Sequence, residues 1–189
     1  MAKLVVSEFV SLDGVMQAPG GEPGFKHSGW VMAFPAPDQL QYKLDEVLAH
    51  EALLIGRRTY EGFAAAWPSR TGEFADKMNG MPKYVASTTL KKVEWNNSTV
   101  LSGDVPAAVS GLKQELGGDI LVAGSHTLVN TLKHHGLIDE YRLMVFPLVV
   151  GGGKRLFQEG SGRHALQLVE AKPVGSAGVL TLVYQPDRK

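Results

Sequence analysis

The sequence predicts an α/β domain of three layers, with helices on both sides of a mostly parallel central sheet that ends in an antiparallel hairpin. Three observations predict it. Short apolar, β-branched runs alternate with segments whose apolar residues recur at helical spacing, the pattern of successive βα units. Two of those runs break at a glycine that opens a helix, Ala52 to Ile55 at Gly56 and Ile120 to Ala123 at Gly124. The last part of the chain holds two strand-like runs, Ala165 to Lys172 and Val179 to Gln185, joined by the turn Pro173 to Gly178.

Composition bounds the function. A chain of 189 residues reads as a single domain, 1–189, able to bury about 70% of its unfolded surface without staples. Lys+Arg and Asp+Glu balance at 19 each, so no strong field exists to gather nucleic acid or a membrane surface. The absence of cysteine excludes disulfides, thiolate metal sites and thiol catalysis. The start, MAKLVVSEFV, lacks the length and cleavage site of a signal peptide. No stretch approaches the ~18 apolar residues of a membrane helix. A soluble, cytoplasmic protein is expected.

Taken in order, Lys3 to Val10 is a first strand running into the loop Ser11 to Met16. Residues 17–37 are rich in Pro and Gly, with Phe25, Trp30 and Phe34 among the breakers. Aromatics in a long loop favour a lid or pocket wall over a linker. Asp38 then opens a helix with Gln41 as a capping box, Leu40, Leu44, Val47, Leu48 and Glu51 forming its stripe. Asp45 and Glu46 lean away from that stripe and are expected in solvent. The second strand ends at Gly56-Arg57-Arg58-Thr59, whose arginines suit phosphate oxygens. A short helix around Gly72 to Met78 precedes the strand Lys83 to Ala86 and its polar end Ser87-Thr88-Thr89. Val100 to Leu101 is a brief strand, and Asp104 caps a helix that Gly117-Gly118 closes.

The stretch Asp119 to Val129 organises the chain. Its helix begins with unpaired amides at the positive end of a dipole, and Gly124 lets a ligand approach the backbone. An anion fits there, most naturally a pyrophosphate; equally, Gly124 is a tight turn and Ser125 an N-cap. Glu140 to Val150 is a strand interrupted by Pro147 and followed by GGGKRLF, Gly151 to Phe157, which is no phosphate loop because Arg155 stands where Ser or Thr is required. His126, His134 and His135 lack the i, i+4 spacing of a metal pair, so no metal site is expected.

In order and spacing, SLDGVM, LLIGRRTYEGF, YVASTT, ILVAGSHTLVNTL and GLIDEYRLMVFPLVVGGGKRLF resemble the dihydrofolate-reductase-like fold, and most of all its RibD C-terminal reductase branch with stand-alone bacterial members. The resemblance implies NADPH across the carboxyl ends of the strands. It places Gly56, Arg57, Arg58 and Thr59 at the adenosine phosphates, with the arginines near the 2′-phosphate. Ser87 and Thr88 become a second adenosine-side contact, and Gly124, Ser125, Thr127 and Leu128 the pyrophosphate turn. Ser125 departs from the family, which commonly has a second glycine there. Val10 and the Leu12 to Met16 loop, with Asp13 and Val15, line the nicotinamide pocket.

The implied activity is hydride transfer to a small heterocycle, a ribosylaminopyrimidine of the riboflavin pathway or a pterin, by an enzyme that is usually a homodimer. The deaminase half of a complete RibD is absent, and its zinc motif cannot be built without cysteine. Trp30 in the loop, and Lys154 and Arg155 beyond the glycines, are candidate substrate contacts; the two basic residues read equally as solvated turn residues. Asp38 stands roughly where true dihydrofolate reductases carry a catalytic carboxylate, and it reads as well as an N-cap. Since no catalytic acid stands out, a nucleotide-binding protein without turnover is the alternative.

Overall fold

The computed structural model describes residues 1–34, 37–158, 160 and 162–187. Its strands are β1 (Leu4–Ser11), β2 (Ala52–Gly56), β3 (Lys83–Ala86), β4 (Ser98–Leu101), β5 (Ile120–Ala123), β6 (Glu140–Phe146), β7 (Leu166–Val174) and β8 (Val179–Pro186). The helices are α1 (Pro37–Ala49), α2 (Arg57–Ala66), α3 (Glu73–Gly80), α4 (Val105–Glu115) and α5 (His126–His134). One sheet contains all the strands in the order β4-β3-β2-β5-β1-β6-β8-β7. From β4 to β6 every pairing is parallel, whereas β8 runs antiparallel to β6 and β7 to β8. The parallel strands therefore end along one edge, and the crevice of an open α/β sheet lies there. None of the helices among the described residues is long and apolar enough to cross a membrane.

Helices cover both faces. Leu4, Val6 and Val10 pack with Ile120, Val122, Val109 and Leu112 of α4, and Leu128, Val129 and Leu132 of α5. On the other face Leu53, Ile55 and Val85 meet Val47 of α1, Tyr60 of α2 and Met78 of α3. Because the central strands are buried on both faces, they read as continuous apolar runs rather than alternating ones. Asp104 caps α4 as its sequence predicts, its carboxylate accepting from the Ala107 amide at 3.0 Å.

Helix α1 corrects the sequence. Leu40 and Leu48 are 69% and 40% exposed, while Gln39, Glu46, Val47 and His50 are buried. The capping box is not formed: Asp38 is the second helical residue, after Pro37, and Gln41 donates to Asp45 Oδ1 at 2.7 Å. Asp45 is exposed, as expected, but Glu46 is not. The reason lies in β1, which presents Ser7 to this face and gives Glu46 a partner there.

Three loops close over the crevice as one unit. Asp13 accepts from Ser11 Oγ at 2.6 Å and from the amides of Val150 and Gly151 at 3.0 Å each. Arg155 Nε donates to the Asp13 carbonyl at 2.8 Å, and Val15 forms a β-bridge with Arg155. Phe25, from the proline- and glycine-rich loop, lies against Gly153, where a Cβ would come within 2.8 Å of its ring and where φ is +113°. That loop is not structureless: Trp30–Ala33 is a 3-10 turn, and Trp30 Nε1 donates to the Gln17 carbonyl at 2.9 Å. Residues 35 and 36 of the loop lie outside the described residues.

The Ser11 hydroxyl, with the Val150 and Gly151 amides, holds the Asp13 carboxyl down at about 2. Its folded value is lower than its unfolded one, so the clamp contributes stability above pH 3.8 and loses it as pH falls through about 2. Asp13→Asn is expected to cost about 1 kcal/mol at pH 7, a fall in Tm of about 2–4 °C. Thermal melts should show the gap to wild type closing as pH is lowered through that window.

Candidate functional site

The glycine turns after β2 and β5 meet at the crevice edge. Ser125 Oγ accepts from the Gly56 amide at 2.8 Å and donates to Thr59 Oγ1 at 3.0 Å. Ser125 stands at the N-cap position of α5, yet its side chain makes no cap; it crosses to the neighbouring turn instead. Gly124 and Ser125 both take the left-handed conformation, at φ +59° and +66°. Glycine is favoured at 124 by its left-handed conformation, and a Cβ there would also crowd Thr59 Oγ1 at 3.1 Å. The arrangement sets the starts of α2 and α5 side by side, where helical amides have no partner within their own helix.

The arginines differ. Arg57 pairs with Glu61 at 3.1 Å one turn along α2, whereas Arg58 is exposed and has no ion pair among the described residues. Ser87 is buried, and its hydroxyl accepts from the Thr89 and Leu90 amides at 3.2 and 2.9 Å, so it shapes its own turn and leaves Thr88 exposed. Thr127 is exposed on the first turn of α5, and Leu128 puts its side chain into the core below.

Several expected contacts are engaged within the fold. Val10 and Val15 are buried, Asp13 is tied to the 150–151 backbone, and Arg155 is tied to Asp13. Of the two basic residues, Arg155 is engaged, while the Lys154 side chain makes no hydrogen bond or ion pair among the described residues. Trp30 is buried, its ring edge-on to Phe146 at 5.5 Å, and Phe9 and Phe34 meet the same ring at 5.6 and 5.7 Å. Trp30 is thus part of an aromatic wall and not a free ligand contact. Asp38 is exposed on the first turn of α1.

The sequence reading missed a buried polar cluster beneath α1. Ser7 Oγ donates to Glu46 Oε2 at 2.6 Å, and Lys43 Nζ donates to Glu46 Oε2 at 2.5 Å and to Ser7 Oγ. The Lys43 ammonium also lies over the Phe9 ring, 5.1 Å from its centroid, so it stands at the inner end of the aromatic wall. Glu46 Oε1 has no partner among the described residues. One signal for this was present in the sequence: Ser7 and Glu8 interrupt an apolar strand that is buried on both faces, so each needs an answering polar group.

Comparison with known proteins places the chain. The family model of the RibD C-terminal domain matches residues 2–180. The chain belongs to the RibD C-terminal domain family. YyaP of Bacillus subtilis (strain 168) is 27% identical over 187 residues, spanning 96% of this chain and 94% of its own. A putative riboflavin biosynthesis protein from Shewanella sp. PV-4 shares the fold with a TM-score of 0.77 at 21% identity, each chain covered in full at 100%. Dihydrofolate reductase from Enterococcus faecalis, solved in complex with NADP(H), superposes with a TM-score of 0.66 at 14% identity over 98% of this chain and 96% of that one. Within the RibD C-terminal domain architecture, the turns at Gly56 and Gly124 occupy the strand-end crevice, and the Lys43–Glu46–Ser7 cluster lies on the α1 side of β1.

Removing one partner of a buried ion pair strands the other. Lys43→Met is expected to destabilise by about 3–5 kcal/mol, since Glu46 is then left uncompensated, while Lys43→Met with Glu46→Leu recovers most of that loss. Urea unfolding of the two variants checks it; equal losses would show that the pair contributes packing alone.

Proposed function

We propose that the chain is an NADPH-dependent reductase of a small heterocyclic substrate. The observation that carries this reading is the Ser125 tie, which holds two helix starts and their glycine turns together at one edge of the sheet. Two adjacent sets of unpaired amides suit the phosphates of one dinucleotide. Gly56, Arg57, Arg58, Thr59 and Thr88 would take the adenosine end, with Ser87 shaping the turn that presents Thr88. Gly124, Ser125, Thr127 and the Leu128 backbone would take the pyrophosphate. Val10, Val15 and the backbone around Asp13 would form the nicotinamide pocket. Membership of the RibD C-terminal domain family and the likeness to a reductase solved with NADP(H) support the assignment.

When bound, NADPH supplies the hydride. The chain's own part is to position the substrate, exclude water and deliver a proton. The packed wall of Phe9, Trp30, Phe34 and Phe146 would bound the substrate side of the crevice and keep water out. Lys43 Nζ, held by Ser7 and Glu46 beside that wall, is the group we assign to proton delivery, in place of the exposed Asp38. Lys154 is the side chain available to a substrate phosphate. The substrate is of the RibD type, 5-amino-6-(5-phosphoribosylamino)uracil or a close heterocycle, and the active form is a cytoplasmic homodimer.

Titration of the pure protein with NADPH and NADH tests the reading. NADPH is expected to bind the more tightly, and Arg58→Ala to weaken NADPH about tenfold while changing NADH less than twofold. Equal losses would remove the 2′-phosphate role, and absence of saturable binding would remove the function. Loss of NADPH absorbance dependent on added pyrimidine or pterin separates a reductase from a nucleotide binder without turnover.

A further inference from the structure

Glu8 is a carboxylic acid where the fold has no evident use for one. It lies in β1 between Val6 and Val10, both of which pack against the α4 and α5 layer. The β1–β5 register runs to Ser7 opposite Ala123, so Glu8 stands beside Gly124. It is only 4% exposed, and its Oε1 has no partner among the described residues. The Gly124 amide is the backbone group that acts on the carboxyl, drawing it toward the anion. A buried acid thus reaches, from inside the protein, the turn whose outer side faces the crevice.

The charges acting on Glu8 are Lys43 and Glu46 of α1. On α5 the titratable groups that burial perturbs are His126 and Lys133, both pushed below their usual ranges. Burial raises the Glu8 carboxyl well above its ordinary range, outweighing the opposing pull of Lys43 and the Gly124 amide. Raising the pH removes its proton. The anion then lies within one peptide of the amides that face a ligand phosphate, and it holds the Gly124 N–H by a charge-assisted bond. In a site of low dielectric that repulsion is felt strongly.

Resting on the NADPH reading above, we infer that Glu8 is the positioning residue of the Gly124–Ser125 turn and that the turn accepts a dinucleotide phosphate only while Glu8 is neutral. Neutral, it orients the Gly124 amide inward and adds no charge. Ionised, it competes with the ligand for the same helix start. By linkage, a phosphate bound at the turn raises the affinity of Glu8 for its proton, so binding near its titration takes up a proton from solvent.

The test is NADPH affinity from pH 6.5 to pH 9.5 for wild type and Glu8→Gln, the steps taken at roughly half-unit intervals at constant ionic strength. Wild type is expected to weaken by about tenfold across that range and Glu8→Gln by less than twofold, the variant binding the more tightly at the alkaline end. Lys83, which burial lowers to about 8, titrates within the measured range but sits at the end of β3 away from the crevice and is common to both proteins. Parallel profiles, or a flat profile for wild type, overturn the inference with the cofactor reading intact; no saturable binding at the acid end overturns both. Calorimetry of wild type in two buffers of different ionisation enthalpy is a second measurement that does not depend on the variant. Proton uptake on binding at alkaline pH supports the inference, and its absence overturns it.

Discussion

The crevice depends on one hydroxyl. Ser125 occupies a left-handed conformation that a residue with a Cβ adopts at a cost of about 1–2 kcal/mol, and two hydrogen bonds across to the Gly56 turn offset it. A glycine at this position would enter the same conformation freely but could not reach Gly56 or Thr59. A serine rather than a glycine here therefore exchanges backbone freedom for a fixed distance between two strand tips. Thr59 completes the fit, because its side chain fills the space that a Cβ on Gly124 would need.

The glycine turns, the Asp104 cap and the final hairpin are local, each set by residues within a few positions of one another, and the structure follows them. Helix α1 is the opposite case. Its sequence shows leucines on one stripe and charges on the other, yet Glu46 and Lys43 are inward and Leu40 and Leu48 outward. What decides the orientation is Ser7, far away along the chain, together with the wall around Phe146; no periodicity within α1 encodes either.

The expected site residues divide along the same line. Gly56, Thr59, Gly124 and Ser125 are brought together because their roles are set by backbone geometry. Asp13, Arg155, Ser87 and Trp30 look available in the sequence but are engaged by hydrogen bonds or ring contacts within the fold. A polar residue next to glycine reads as a ligand contact whether it faces the ligand or braces the loop that does. Only the partner segment tells the two apart, and for Asp13 that segment is 150–151, at the other end of the chain.

Two ties thus frame the crevice, Ser125 on the β2 and β5 side and Asp13 on the β1 and β6 side, and both work by holding main-chain amides. A rim built from braced backbone recognises phosphates and carbonyls by position and is indifferent to much of what surrounds them, which suits a common cofactor. Discrimination among substrates must then come from the few side chains that are not spent on bracing. On the α1 face the group left over is Glu46 Oε1, which has no partner among the described residues, beside Lys43 and the aromatic wall. Ser7 and Glu8, adjacent in β1 and pointing to opposite faces of the sheet, link the two sides: one anchors the Lys43–Glu46 cluster, and the other stands beside the Gly124 turn. A single strand in the middle of the sheet therefore couples the geometry of both halves of the crevice, and its two polar residues are where the apolar pattern of β1 gives way to chemistry.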